Sequence, residues 1–430
     1  MSTEPMRTTS LEAGLRLARE LFAEIGLKTF DGIGITRAAY GEGEQLAHDA
    51  VAKVAHDLEL RIEIDAALNL SMTLPGSVSA APALIIGSHL DSVPQGGNYD
   101  GLAGVLAGLA CVAALRKEGV TLHGDTTVMS LRGEENAWFA AQHIGSRAAL
   151  GLLKSEVLDK AKRIDTGRTL AEHMAAAGAN LEVVRSGQPL LDRKRVGAFL
   201  ELHIEQGPIL DEQALPVGVV TGIRGNVRFR EIICRGTYGH SGVVPRWLRH
   251  DAVISASELV SRMDAVWQDI EAEDGDLVLT FGQFFTNSAA HGVTTIPGEV
   301  TLCFDARSHS QAVLDRIARE IQSISDDIAA RRGVSITFSR ATRDAPINMD
   351  GRLQKMLLAG CGALRILPTL ITSGAGHDAG DFATAGVPSA MIFVRNQNGS
   401  HNPHEAMQFT DFTEGVRLMD WFIRSFHGRH

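Results

Sequence analysis

Residues 102–115 (Leu-Ala-Gly-Val-Leu-Ala-Gly-Leu-Ala-Cys-Val-Ala-Ala-Leu) run for fourteen positions without a strongly polar side chain. A segment that is apolar on every side must be buried all round. Crossing a bilayer takes about 20 residues, so a buried helix is expected here and no membrane association. Just upstream, residues 83–87 (Ala-Leu-Ile-Ile-Gly) form a short apolar run. Such runs are strands covered on both faces of a parallel sheet. A buried strand feeding a buried helix is the repeating unit of an open α/β sheet, and residues 126–131 and 196–203 read as further strands of it. Ligands of such sheets collect beyond the carboxyl ends of the strands.

The pattern changes midway. Residues 227–235 alternate like a strand, 250–270 have helical spacing, and 276–282 and 299–307 read as strands. A long amphipathic helix at 310–332 and a strand at 334–339 follow. The order β-α-β-β-α-β is the split unit of a ferredoxin-like domain. A helix near 353–362, a strand at 390–394 and a last helix from Asp411 return to the first pattern. At about 100–200 residues per domain, 430 residues accommodate this division. The expected fold is therefore an α/β catalytic domain in two parts, 1–216 and 343–430, with an open, mostly parallel sheet. A ferredoxin-like (βαββαβ) lid at 217–342 is inserted between them. An edge strand at 227–235 and the amphipathic helix at 250–270 both need partners, which predicts a homodimer joined through the lid.

Lys and Arg total 41 against 51 Asp and Glu, a net charge of −10 with no basic tract. Nucleic acid and anionic membrane surfaces are therefore excluded as expected partners. The first sixteen residues carry Glu4, Arg7 and Glu12 and no apolar signal-peptide core. Cys111, Cys234, Cys303 and Cys361 are too dispersed for a zinc ribbon or a disulfide framework, and the expected location is cytoplasmic.

Chemistry-bearing residues recur at strand ends. His89 follows the apolar strand, and Asp91 is near enough to accept a hydrogen bond from its second ring nitrogen, as carboxylates that orient metal-binding histidines do. Asp100 opens the long helix, where a carboxylate caps amides or holds a cation. Glu134 and Glu135 follow the strand 126–131, and two adjacent carboxylates suit a division between metal ligand and general base. His203 ends the strand 196–203, and His401 follows the strand 390–394. Imidazole and carboxylate without thiolate suit Zn²⁺, with Mn²⁺, Co²⁺ or Ni²⁺ as substitutes. Five such ligands with one shared carboxylate suit two metal ions.

These motifs are Gly87-Ser88-His89-Leu90-Asp91-Ser92-Val93 through Gly104, Glu134-Glu135, and His203-Ile204-Glu205-Gln206-Gly207-Pro208. Further along come Ile296-Pro297-Gly298, Ser373-Gly374-Ala375-Gly376-His377-Asp378-Ala379, and Ser400-His401-Asn402-Pro403. Together they make the sequence resemble the hydantoinase/carbamoylase branch of the M20 metallopeptidase-like amidohydrolases. That branch includes N-carbamoyl-L-amino-acid hydrolases, allantoate amidohydrolases and β-ureidopropionases. The resemblance implies metal ligation by His89, Asp100 (the bridge), Glu135, His203 and His401. It implies Glu134 as general base and His240 as the lid histidine that polarises the substrate carbonyl. Arg307 would grip a substrate carboxylate, with Gln206, Thr294 and Gly376 as further substrate contacts. His377 and Asp378 would act directly or form a buried hydrogen-bonded pair. The sequence departs from the branch at Thr294 and Gly239, where Asn is usual, and at Arg246, Asn136-Ala137 and Arg395. The implied reaction is metal-assisted hydrolysis of an amide-type C–N bond in a small carboxylate-bearing molecule, foremost a ureido group. The alternative is an acyl amide, as in an aminoacylase, dipeptidase or amino-acid-conjugate hydrolase.

Overall fold

The computed structural model of the protein describes residues 4–428. Residues 1–3 and 429–430 of the expected outer segments, including the start of the stretch read for a signal peptide, lie outside the described residues. The chain forms two units, Met1–Thr221 with Met349–His430, and Gly222–Asn348.

In the first unit a sheet runs in the order Arg61–Ile64, Leu70–Leu74, Thr126–Leu131, Ala83–His89, Val196–Ile204, Ser389–Val394, Val217–Ile223. The four strands in its middle are mutually parallel, while those outside pair antiparallel. The middle strands are buried along almost their whole length, as continuous apolar runs require when both sheet faces are covered. The helix Leu102–Glu118 is buried from Leu102 through Val112. Against it packs the helix Glu4–Thr29, whose Leu15, Ala18, Phe22 and Ile25 recur at helical spacing and are buried. Each fully buried Leu, Ile or Phe here contributes about 1.5–3 kcal/mol relative to exposure. Parallel strands bring their carboxyl ends to one edge, so His89, the Glu134–Glu135 pair, His203 and the loop after Val394 share that edge.

Asp100 does not cap the long helix: the N-cap is Gly101, at φ +66, a left-handed backbone that glycine adopts without strain. A Cβ at Gly101 would also lie 2.5 Å from the His89 ring. The strand expected over 227–235, observed as Gly225–Arg235, is not an edge strand. It pairs with Glu299–Ser308 on one side and with Ser335–Phe338 and Thr342–Asp344 on the other. Alternation reveals which face of a strand is buried but not which strands lie beside it.

The second unit is this antiparallel sheet, in the order Phe284–Thr286, Glu299–Ser308, Gly225–Arg235, Ser335–Phe338. The helices Ala252–Ala272 and Gln311–Arg332 share one core with its buried face: Ile232, Cys234, Leu302 and Phe304 meet Leu259, Met263 and Ile321. Asp251 caps the first helix by accepting the amides of Val253 and Ile254, and Ser310 caps the second through the amide of Val313. The four cysteines are free. No described helix is long and apolar enough to cross a membrane.

Candidate active site

His89 is the last residue of its strand. Its Nδ1 lies 3.0 Å from the Asp91 carbonyl. A carbonyl only accepts, so Nδ1 donates there, and Nε2 faces Asp100 Oδ1 at 3.4 Å. His203 repeats the device: Nδ1 donates to the carbonyl of Ile204 at 2.9 Å, and Nε2 lies 3.2 Å from the same Asp100 oxygen. Fixing one ring nitrogen in this way orients the other as a ligand. On the other side of Asp100, His401 Nε2 lies 3.5 Å from Oδ2 and 3.2 Å from Glu135 Oε1. Asp100 is thus common to two groups of ligand atoms, His89–Asp100–His203 and Asp100–Glu135–His401, each within 4.8 Å of one another.

The Asp91 carboxylate sits 3.3 Å from His89 Nδ1 and also holds the glutamate loop. Its Oδ1 accepts the amide of Glu134 and its Oδ2 that of Glu135. Gln206 directs its Nε2 to Asp100 Oδ2 at 2.7 Å, and the Ser400 hydroxyl reaches the same oxygen at 2.6 Å.

The electrostatics are those of a crowded, largely buried cluster. Burial would keep His89 neutral, but the carboxylates of Glu134, Asp100 and Asp91 outweigh it and raise its pKa well above the ordinary range. For His203, burial is likewise overcome by Asp100, to about 9. Burial pushes Glu135 up to about 7, with Asp100 and Glu134 adding repulsion. Glu134 goes the other way, to about 2: burial would raise it, and His89 and His143 more than compensate. Glu135 Oε1 is buried and has no hydrogen-bond partner, although His401 Nε2 is near. Imidazoles and carboxylates converging without thiolate, a carboxylate shared by two groups and an orphaned carboxylate oxygen fit divalent cations. A third group, Glu201, His203 and His377, is equally close. The Glu201 oxygens are already taken by the Ser88 hydroxyl and the Ala379 amide.

His377 and Asp378 are buried but not bonded to each other. His377 Nε2 meets the Ser373 hydroxyl at 2.9 Å, and Asp378 accepts from Ser146 at 2.5 Å. The expected pair is therefore two separate serine contacts. Gly376 lies against the ring of His143, which would be 3.0 Å from any Cβ there.

His240, Thr294 and Arg307 belong to the second unit. His240 is exposed and pairs across a two-stranded ladder with Thr295, next to Thr294. Its Nδ1 accepts the amide of Gly242 at 3.1 Å, so Nε2 carries the proton of the neutral ring. Arg307 donates through Nε and Nη2 to Asp305 Oδ2, at 3.0 and 2.9 Å.

His143 was not foreseen. Its Nε2 lies 3.1 Å from Glu134 Oε1 and its Nδ1 2.6 Å from Asp381 Oδ2. No apolar strand precedes it, and Asp381 sits inside the helix Asp378–Thr384, so neither carried the strand-end signal that marks the other residues.

A largely parallel α/β sheet carries two groups of imidazoles and carboxylates that could hold metal ions, and a further buried glutamate, at its carboxyl edge. Residues 85–425 match the model of peptidase family M20/M25/M40, and the chain belongs to that family, on its hydantoinase/carbamoylase branch, as an amidohydrolase. It is 35% identical over 387 residues to an N-carbamoyl-L-amino acid amidohydrolase of Geobacillus stearothermophilus, covering 90% of this chain and 92% of that one. It is 31% identical over 395 residues to the allantoate amidohydrolase of Escherichia coli (strain K12), covering 90% and 91%. The crystal structure of a hydantoinase/carbamoylase family amidase from Burkholderia multivorans superposes with a TM-score of 0.85 at 28% identity, over 96% of this chain and 97% of that one.

Proposed function

We propose that the protein hydrolyses the ureido (N-carbamoyl) group of an N-carbamoyl amino acid or related small ureido acid, with two divalent metal ions, Zn²⁺ foremost, as cofactors. The observation that carries this reading is Asp100, whose carboxylate is shared by His89 and His203 on one side and His401 on the other. His89, His203 and Asp100 would hold one ion, and Asp100, Glu135 and His401 the other. When bound, such a pair acidifies a water and polarises the scissile carbonyl.

The remaining work falls to the chain. Glu134 is buried at the cluster's rim and belongs to neither ligand group. It takes the proton of the attacking water and returns it to the leaving nitrogen. Gln206 steadies Asp100. The Nε2–H of His240 would stabilise the developing oxyanion, and the Arg307 fork would receive the substrate carboxylate. The products are an amine, CO₂ and ammonia. The strand order of residues 222–348 supports reading that unit as a ferredoxin-like lid. Its edge strand Phe284–Thr286, with exposed Phe284 and Phe285, is the surface through which a homodimer would form. Four free cysteines suit a cytoplasmic location.

The test is a metal assay with a substrate panel. Chelation should abolish activity, and Zn²⁺, Mn²⁺, Co²⁺ or Ni²⁺ should restore it. N-carbamoyl amino acids should be turned over faster than the matching N-acyl amino acids. Full activity in metal-stripped protein overturns the metal centre, and a preference for N-acyl substrates overturns the ureido assignment.

A further inference from the structure

We propose that His143, backed by Asp381 and Arg147, is a positioning residue for Glu134: it pins Oε1 of that carboxylate and leaves Oε2 as the working oxygen. The inference rests on reading Glu134 as the general base.

Four charged groups line up in alternating sign. Arg147 Nε lies 3.2 Å from Asp381 Oδ1, Asp381 Oδ2 lies 2.6 Å from His143 Nδ1, and His143 Nε2 lies 3.1 Å from Glu134 Oε1. A carboxylate accepts and does not donate, so both ring nitrogens of His143 carry protons in this geometry, and each proton has one acceptor. The other Glu134 oxygen, Oε2, is directed at the metal cluster, 3.8 Å from His89 Nε2. A glutamate side chain has three rotatable bonds. Without a partner on Oε1 its carboxylate would sample orientations in which neither oxygen faces the cluster, and a displacement of about 1 Å at a reacting group costs on the order of 10²-fold in rate.

The surroundings hold the ring in place. The His143 amide donates to the Glu134 carbonyl at 2.9 Å, and the next two amides, of Ile144 and Gly145, donate to Gly133 and Arg132. His143 itself has φ +55, an uncommon backbone for a residue with a side chain, sustained only where neighbours impose it. Gly376 supplies the space: a Cβ there would be 3.0 Å from the His143 Cε1 and Nε2 atoms. Its lack of a side chain is explained by the histidine and does not require a substrate contact. His143, Glu134 and Asp381 are all buried, so these charge-assisted bonds are poorly screened.

The experiment compares His143→Ala, His143→Gln, Asp381→Asn, Glu134→Gln and the double variant His143→Ala/Glu134→Gln, with whichever amino-acid derivative the panel shows to be turned over. His143→Ala should lower kcat on the order of 10- to 100-fold with KM within about two-fold and metal content unchanged. His143→Gln, whose amide can still donate to Oε1, should recover part of the loss. In the Glu134→Gln background the His143→Ala change should cost nothing further, because the group it positions is already disabled. Independently of activity, proton NMR should show two slowly exchanging downfield imidazole N–H signals from His143. Glu134→Gln should move the one and Asp381→Asn the other. Equal losses from His143→Ala in both backgrounds, a loss explained by KM or metal content, or an imidazole signal indifferent to Glu134→Gln would overturn the proposal. If Glu134→Gln is itself fully active, it is the base assignment that falls. If Glu134→Gln is strongly impaired but measurable and the effects are additive, only the role of His143 falls.

Discussion

Asp91 Oδ1 accepts the backbone amide of Glu134 at 3.0 Å, and the other oxygen of Asp91 accepts that of Glu135 at 3.1 Å. One buried carboxylate thus sets the loop that presents two others, and it also lies 3.3 Å from the His89 ring. Asp91→Asn should be disruptive despite its equal size, because an amide has one acceptor atom, and its NH₂ would face an N–H. A buried donor left without an acceptor costs about 1–3 kcal/mol, so thermal or urea unfolding should show a loss of that order. Metal affinity should fall roughly 10- to 100-fold, as when the supporting partner of a ligand is removed. Unchanged stability and unchanged metal affinity in Asp91→Asn would show that the loop is held by other means.

Glu134 and Glu135 are neighbours in sequence with opposite environments. Glu135 meets Asp100 and His401, whereas Glu134 meets His89 and His143. Glu134→Gln should retain both metal ions and lose about 10²–10⁴-fold in kcat, the range for removal of an acid–base group. Glu135→Gln should lose occupancy of one ion. Metal stoichiometry and steady-state kinetics on the same samples check this, and equal metal content with equal residual activity would contradict the division of roles.

The strand-end residues were legible because two local signals coincide: an apolar run that must be a buried strand, and a titratable residue where the run stops. His89, Glu134, Glu135 and His203 all carry that signature. Asp100 was legible as a residue with two tasks open to it at a helix start, amide cap or cation ligand, and the N-cap at Gly101 removes the first. His143 was not legible. Its importance depends on a left-handed backbone at the residue itself and on Asp381, 238 positions away, and neither is encoded in periodicity. The interior position of the strand Gly225–Arg235 was missed for a related reason: its partners come from distant segments, and pairing order is a property of the whole sheet.

Arg307 is already engaged. Its guanidinium donates twice to Asp305 Oδ2, and Arg228 reaches the same oxygen at 3.2 Å. Asp305 and Arg307 project from one face of their strand, opposite the buried face of Phe304 and Ala306. An ion pair whose arginine side chain is 38% exposed contributes only about 0–1 kcal/mol to stability, so Arg307→Lys should leave the unfolding transition nearly unchanged. If Arg307 grips the substrate, the same variant should raise KM or lower kcat/KM by roughly ten-fold or more, because Lys keeps the charge and loses the planar fork. The primary amide of the substrate carboxylate should likewise be a poor substrate of the wild type. Normal kinetics for Arg307→Lys together with good turnover of the neutral analogue would place recognition elsewhere, with Thr294 and Gly239 the next residues to vary.

The last prediction concerns stability and pH, at a histidine remote from the candidate metal ligands. His427 follows the final helix, Phe409–Phe426, and is buried. Its Nδ1 accepts the amide of Gly124 at 3.2 Å, and Nε2 lies 3.0 Å from the Thr126 hydroxyl. Accepting at Nδ1 requires the neutral ring; protonation would set two N–H groups against each other. Burial accordingly lowers its pKa to about 4, with His123 adding repulsion and Asp125 opposing it. Since the unfolded chain titrates near 6.5, between about pH 6.5 and 4 the unfolded state binds more protons at this position than the folded one. Stability contributed by His427 is therefore fully present above pH 6.5 and is lost as pH falls towards 4, with a slope of at most about 1.4 kcal/mol per pH unit. His427→Asn keeps an acceptor for the Gly124 amide but cannot titrate. Urea unfolding of both proteins at pH 8, 6, 5 and 4 should show wild type losing stability faster than the variant as pH falls, so that their difference narrows. A difference in unfolding free energy that stays constant across that range would show that His427 is not the group that titrates.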